Sequence, residues 1–265
     1  MIERRSPALN QFRRARASIL AFALLAVAFS PARAEGFSPG QKAEIESIIK
    51  NFLLEKPEIL RDAAAELDAR EKIAEAKARE KIVGDPSGPL YSAGNPVVIG
   101  NPDGKITLIE FYDYNCGYCK RALGDLARLM KDNPDLKVIL RDLPILSPGS
   151  IEAARIANAA SNQFKGAKFW EFHQKLLSSR GQVGKTEALA AAKELGADMD
   201  KLGKDAAAAS ITADIEQSEQ IAKSLAVTGT PSYVIGLDVV VGAVGYDDLQ
   251  AKIVNVRKCG KAICS

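Results

Sequence analysis

The sequence predicts an α/β fold: a strand–helix–strand unit, a block of short helices inserted after it, and a closing strand–strand–helix unit, with a helical arm ahead of all three. Three observations carry this expectation. Lys105–Tyr112 (KITLIEFY) and Lys137–Leu143 (KVILRDL) are β-branched and aromatic runs, and Arg121–Lys131 between them places Leu123, Leu126, Leu129 and Met130 at helical spacing. Residues 150–226 are rich in alanine and helical in pattern throughout. Tyr233–Ile235 and Val239–Val241 flank Gly236-Leu237-Asp238 as a hairpin, followed by a last amphipathic stretch, Tyr246–Arg257. Strand, helix, strand in that order implies a parallel pair.

In chain order, a basic leader (Arg4, Arg5, Arg13, Arg14, Arg16) precedes the apolar run Ser18–Ser30 and a small-x-small site, Ala32-Arg33-Ala34. That succession reads as a secretory signal peptide over residues 1–34. The apolar run of 13 residues is short of the roughly 20 that span a bilayer, which argues against an uncleaved anchor. Neither arginine pair leads directly into the run, so a twin-arginine signal is not assigned. Of the 36 basic and 33 acidic residues, the leader holds six arginines and one glutamate, which leaves 30 basic against 32 acidic in the expected mature chain. No basic tract is interleaved with aromatics, so nucleic acid is not an expected partner.

Residues 35–85 read as a helical stalk. Ile45, Ile48, Phe52, Leu60 and Leu67 recur at helical spacing, and Pro57 begins a second helix or kinks the first. From Leu67 onward (LDAREKIAEAKAREKIV) acids and bases alternate with little apolar surface. The segment is either a solvated spacer or an oligomerising stalk, and the apolar first half favours packing against copies of itself, hence a homo-oligomer. Gly84–Pro96 (GDPSGPLYSAGNP) has linker composition, with 86–96 as the boundary itself. Within 150–226, breaks are expected at Gly166, at 181–184, at Gly196 and at Gly203. Leu249, Ile253 and Val256 should face inward from the last helix.

All four cysteines, Cys116, Cys119, Cys259 and Cys264, lie in the exported part, where disulfides persist. Four are too few to scaffold a fold of this size. Cys116-Gly117-Tyr118-Cys119 opens a helix directly after a strand. The Cys116 sulfur would face free amides and the positive end of the helix dipole, which favour a thiolate, while Cys119 one turn later stays protonated. One sulfur attacks and the other resolves, the division that thiol–disulfide exchange needs. A histidine between the sulfurs would add charge that Tyr118 cannot, so a less depressed Cys116 and a less oxidising couple are expected than in a Cys-x-His-Cys site. A metal site is not expected: Cys259-x4-Cys264 is the only second ligand pair, and the sole histidine, His173, lies in an apolar helical stretch (FWEFHQKLL) as a packing residue. A permanently closed staple at Cys116–Cys119 is the remaining alternative.

Phe111-Tyr112-Asp113-Tyr114-Asn115-Cys116-Gly117-Tyr118-Cys119, the helical insert and Gly229-Thr230-Pro231 resemble the DsbA family of thioredoxin-fold oxidoreductases from about Pro96 to Arg257. Phe52–Leu60 (FLLEKPEIL) resembles the stalk of ScsC-like members, which oligomerise through it. The resemblance implies a thioredoxin-like βαβ…ββα fold with an inserted helical domain, preceded by the helical N-terminal stalk. The halves of that fold fall at 97–149 and 227–265, with the insert at 150–226. It also implies that Pro231 is a cis-proline beside the sulfurs, leaving the backbone of Thr230 to pair with an extended client strand; an ordinary turn is the alternative. Gly117 and Tyr118 would border the client, with Tyr118 exposed and Tyr112 and Tyr114 split between core and rim. Glu110 stands where the family carries a buried acid beneath the second sulfur, able to relay its proton; the alternative is a solvated strand-edge acid. Cys259 and Cys264 close a short loop (CGKAIC) that reads as a local structural disulfide, with an accessory redox pair as the alternative.

The function so implied is an exported, periplasmic protein thiol–disulfide oxidoreductase that needs no cofactor and acts on proteins with disulfides or thiols. Gly-Tyr between the cysteines and threonine before the proline resemble isomerase members, so isomerase or reductase leads, with a membrane electron donor as partner. A dithiol oxidase with a membrane reoxidant is the runner-up. A non-catalytic oligomeric protein that binds clients or copper is the reading from a different class.

Overall fold

In a computed structural model of the protein, residues 36–264 are described; the expected signal peptide lies outside them. The chain divides into two compact units, one ending at Ala65 and the other beginning at Glu66.

In the first unit, α1 (Pro39–Glu55) starts at Ser38, whose hydroxyl accepts from the Gln41 amide while the Gln41 side chain accepts from the Ser38 amide. It stops at Lys56, because Pro57 has no N–H to continue the ladder, and α2 (Glu58–Val83) follows. No residue of α1 is buried; Ile48 and Leu54 are 60% and 70% exposed, and Ile49, Phe52 and Leu60 are exposed with them.

The second unit is built on a five-stranded sheet in the order β1-β3-β2-β4-β5: β1 (Val97–Gly100), β2 (Ile106–Tyr112), β3 (Leu136–Asp142), β4 (Ser232–Ile235) and β5 (Asp238–Val241). β2 and β3 run parallel with Ile106 opposite Leu136; the other three pairings are antiparallel. The parallel pair is joined through α4 (Gly117–Asp132), as the strand–helix–strand pattern requires. On one face Leu108, Tyr112, Val138, Leu140, Tyr233 and Ile235 pack with α4, with α6 (Gly166–Leu177) and with α10 (Tyr246–Cys259). On the other, Ile109, Phe111, Ile139 and Val234 meet Val83 at the end of α2, Leu90, Ile221 and Ala222 of α9 (Ala209–Ser224), and Leu225 just after it. The insert also contains α5 (Pro148–Ala160), α7 (Lys185–Glu194) and α8 (Met199–Ala207).

Three details differ from expectation. Residues 86–96 are not bare linker: they form a one-turn helix, α3 (Pro89–Ser92), and bury Leu90 completely. Arg141 of β3, itself buried, explains this. Its guanidinium donates to the carbonyls of Pro89, Leu90 and Ala93 at 2.7–2.9 Å, and burial pulls its pKa down to about 10. Tyr91 adds a 2.6 Å bond to the Val83 carbonyl. Second, β1 is an additional edge strand, only four residues long, just after the Gly-rich stretch. Third, Gly203 does not break the insert; it lies inside α8 on an open face, where a glycine costs about 1 kcal/mol relative to alanine and the helix tolerates it. The break falls instead at Ala208.

Candidate active site

Cys116 is the N-cap of α4, with extended backbone, and no side chain caps the helix. Its turn is fixed from below by Asp113, which is buried. The Asp113 carbonyl accepts from the Cys116 amide at 3.0 Å, and its carboxylate accepts from the amides of Asn115 (2.8 Å) and Leu146 (3.1 Å). The Thr230–Pro231 peptide is cis, and the loop that carries it, just before β4, brings the Thr230 carbonyl to 3.0 Å from the Cys116 sulfur.

The two thiols, both reduced here, are pushed in opposite directions. Cys116 is drawn down to about 5, first because the Cys119 thiol donates to it, against the cost of burial; the Thr230 side chain and the amides of Cys119 and Tyr118 also favour its thiolate. The buried Thr230 hydroxyl has no hydrogen-bond partner. Thr230 therefore meets both states of the sulfur: its carbonyl accepts from the thiol, and its hydroxyl is free to donate to the thiolate. Cys119 is pushed far up, because it donates to Cys116, is buried, and lies near the Glu110 charge.

Glu110 points from β2 into the same core at 2% exposure, which excludes the solvated strand-edge alternative. Its Oε2 has no hydrogen-bond partner, and burial, then the Cys116 charge, raises it to about 8. At neutral pH this is an uncharged acid beside a thiolate and a thiol. Tyr112 and Tyr114 are buried, whereas Tyr118 is 60% exposed with the Arg121 guanidinium 4.2 Å from its ring centroid. At Gly117 an added Cβ would meet nothing closer than Arg121 at 3.9 Å, so the approach to Cys116 is open on that side.

Sequence reading did not foresee the polar chain behind the tyrosines. Tyr112 donates to Asp142 at 2.7 Å, and Tyr114 bonds His173 Nδ1 at 3.2 Å. Burial raises Asp142 to about 7 and lowers His173 to about 3. His173 sits among Tyr112, Tyr114, Phe169 and Trp170, the packing position its apolar neighbours implied. Also unforeseen are the contacts of Asn115 and Lys120 with the segment between α6 and α7, 68 and 59 residues downstream. Nothing in the local sequence announces a partner so distant.

Cys259, the last residue of α10, is bonded to Cys264 beyond Gly260, whose left-handed backbone (φ 76°) ends the helix. Among the described residues no group of three or more histidine, cysteine or carboxylate side chains is arranged to hold a metal, and no helix is long and apolar enough to cross a membrane.

Comparison with known proteins agrees with this geometry. Residues 107–254 match the family model of the DSBA-like thioredoxin domain, and residues 41–74 match that of the copper resistance protein ScsC N-terminal domain. A thioredoxin-like oxidoreductase from Silicibacter pomeroyi is 38% identical, over 68% of this chain and 98% of that one, with a TM-score of 0.60. The thiol-disulfide exchange protein alpha-DsbA2 from Wolbachia pipientis is 29% identical over 69% and 98%, with a TM-score of 0.62. Proteus mirabilis ScsC in a transitional conformation is 27% identical over 83% and 96%, with a TM-score of 0.59. Among curated relatives, a Na(+)/H(+) antiporter NhaA 1 of Salinispora arenicola is 30% identical over 52% of this chain, which spans only 21% of that protein. The chain belongs to the DSBA-like thioredoxin-domain family.

Proposed function

We propose that the protein is an exported disulfide isomerase or reductase of the periplasm, with Cys116 as nucleophile and Cys119 as resolving thiol. The observation that carries this is the split between the two sulfurs, one held as a thiolate and the other as a thiol. The Cys116 thiolate attacks one sulfur of a client disulfide; a Cys116–client bond forms, and the second client sulfur leaves as a thiolate. In isomerisation that thiolate, or another of the same client, attacks elsewhere and frees Cys116 unchanged. In reduction Cys119 attacks the Cys116 sulfur, the client leaves as a thiolate, and the protein is left oxidised. In the mixed disulfide the Cys116 charge, the second cause of the raised Glu110 pKa, is gone, so Glu110 ionises more readily and its carboxylate accepts the Cys119 proton as that attack develops. The Thr230 backbone, Tyr118 and Gly117 border the client, and Cys259–Cys264 is a structural clip.

A reduced Cys116 needs an electron donor, and the reading assigns that role to a membrane reductase. The exposed Ile48, Ile49, Phe52 and Leu60 support self-association through residues 35–85, which would present several dithiols to one client. A second reading, Cu(I) capture by the reduced dithiol, is favoured by the match to the ScsC N-terminal domain model alone. Refolding of scrambled ribonuclease and reduction of insulin decide between them. Both should proceed with the wild type and stop with Cys116→Ser. Catalysed oxidation of reduced ribonuclease without isomerisation would favour the dithiol oxidase; no turnover in any assay, with tight Cu(I) binding, would favour the second reading.

A further inference from the structure

Two residues that the exchange steps leave unused bracket the dithiol: Asn115 directly precedes Cys116, and Lys120 directly follows Cys119. Both reach one segment of the insert, residues 178–184, between α6 and α7. Asn115 engages the backbone of Val183 in both directions. Its Nδ2 donates to the Val183 carbonyl at 2.8 Å, and the Val183 amide donates to its Oδ1 at 2.6 Å. The same Nδ2 lies 3.0 Å from Ser150 Oγ of α5. Lys120 Nζ donates to the carbonyls of Ser179 and Gly181 at 2.8 and 3.0 Å. Val183 is completely buried, so the segment that receives these bonds is itself anchored. Lys120 ends on two carbonyls, and fixing so flexible a side chain is entropically costly.

We propose that Asn115 and Lys120 are positioning residues: together they tie both ends of the Cys116–Cys119 motif to residues 178–184 of the insert, and so hold the Cys116 sulfur over the first amides of α4. An N-cap residue lies outside the regular helical backbone, so its orientation depends on what flanks it. Here Asp113 fixes the turn from below, Asn115 fixes it from the insert side, and Lys120 fixes the far end of the same turn of helix. Hydrogen bonds from amides to a thiolate weaken steeply with angle, so a small swing of the turn removes much of their effect. The groups that face the sulfur are the Cys119 thiol and the amides of Tyr118 and Cys119 from α4, Glu110 from β2, and the carbonyl and hydroxyl of Thr230 from the loop before β4. None of these is altered chemically by changing Asn115 or Lys120.

The inference rests on Cys116 being the nucleophile, and the test separates the two. The reduced full-length protein is titrated by thiolate absorbance, and its equilibrium with glutathione is measured, for the wild type, Asn115→Ala, Lys120→Met and, as a control, Lys175→Met. The control breaks the Lys175–Glu194 ion pair (2.7 Å) elsewhere in the insert and does not touch the motif. A wild-type Cys116 that titrates like a free cysteine sinks the nucleophile reading itself. Given an acidic wild-type titration, Asn115→Ala and Lys120→Met should raise it by about one unit, a tenfold loss of thiolate below the pKa. Each should also shift the glutathione equilibrium about tenfold toward the disulfide, because the reduced form loses stabilisation. The control should move neither. Folded variants that titrate and equilibrate as the wild type does, or a control that moves as far as they do, overturn the proposal. Should Asn115→Ala fail to fold, Lys120→Met at its more open position decides alone.

Discussion

Glu110→Gln isolates the buried acid. In the folded protein Glu110 takes up its proton at about pH 8 instead of about 4.5, so between those values the native state holds a proton that the unfolded chain has released. The linkage relation then makes unfolding free energy fall as pH rises, by about 1.36 kcal/mol per unit for a fully buried group. Across the window the loss is on the order of 4 kcal/mol, present at pH 8 and absent at pH 4.5. Cys116 works the other way. Its lowered pKa contributes stability that is lost as pH falls through about 5. The wild type should therefore change little over this range, while Glu110→Gln, which has the shape of the neutral acid and no charge to bury, should grow more stable with pH. The contributions of Asp142 and His173 are common to both proteins and cancel in the difference. Urea unfolding of both reduced proteins from pH 4.5 to 8.5 measures it. With a slope of roughly 2 kcal/mol per molar, the midpoints should coincide at the acid end and separate by about 2 M at the alkaline end. A separation that is constant with pH would mean that Glu110 titrates as an ordinary carboxylate, and the proton-relay role would lose its physical basis. In a Cys116→Ser background the separation should shrink, since the Cys116 charge is the second cause of the shift.

Two further outcomes follow from the same structure. The double substitution Cys259→Ser/Cys264→Ser opens a loop of sequence separation 5, so it should cost about 2 kcal/mol by loop-closure entropy and leave insulin reduction intact; lost turnover in a folded variant would make this pair a redox centre. Ile48→Asp/Phe52→Asp places charges on the bare face of α1 and should convert the full-length protein to a monomer in light scattering, with unchanged turnover on insulin; an unaltered mass would remove that face from the association.

The parts of this molecule legible in its sequence are those set by local pattern. Residues 106–112 are buried on both faces of the sheet and are apolar almost without interruption, so their composition announces a strand. The cysteines declare themselves because a dithiol at a strand-to-helix junction has few other uses. Glu110 was placed by resemblance, since it stands six residues before Cys116, where the family carries a buried acid; local pattern alone left a solvated strand-edge acid open. What was not legible depends on partners far away in sequence. Residues 86–96 have linker composition, and only the Arg141 guanidinium, about 50 residues on, converts them into packed structure. β1 is four residues long and gains its identity by pairing with β3. Asp142, His173, Asn115 and Lys120 acquire meaning from contacts between the sheet and the insert, whose helices carry no signal of which face meets the site.

The account stands on the unequal reactivity of the two sulfurs. Timed alkylation of the native, reduced protein near neutral pH, with mass mapping of each cysteine, tests it most directly. Cys116 should be modified quickly and at a rate insensitive to pH above about 6, while Cys119 should remain unmodified until the protein is unfolded. Equal labelling of Cys116 and Cys119, at rates that climb together toward the ordinary thiol range, would contradict it.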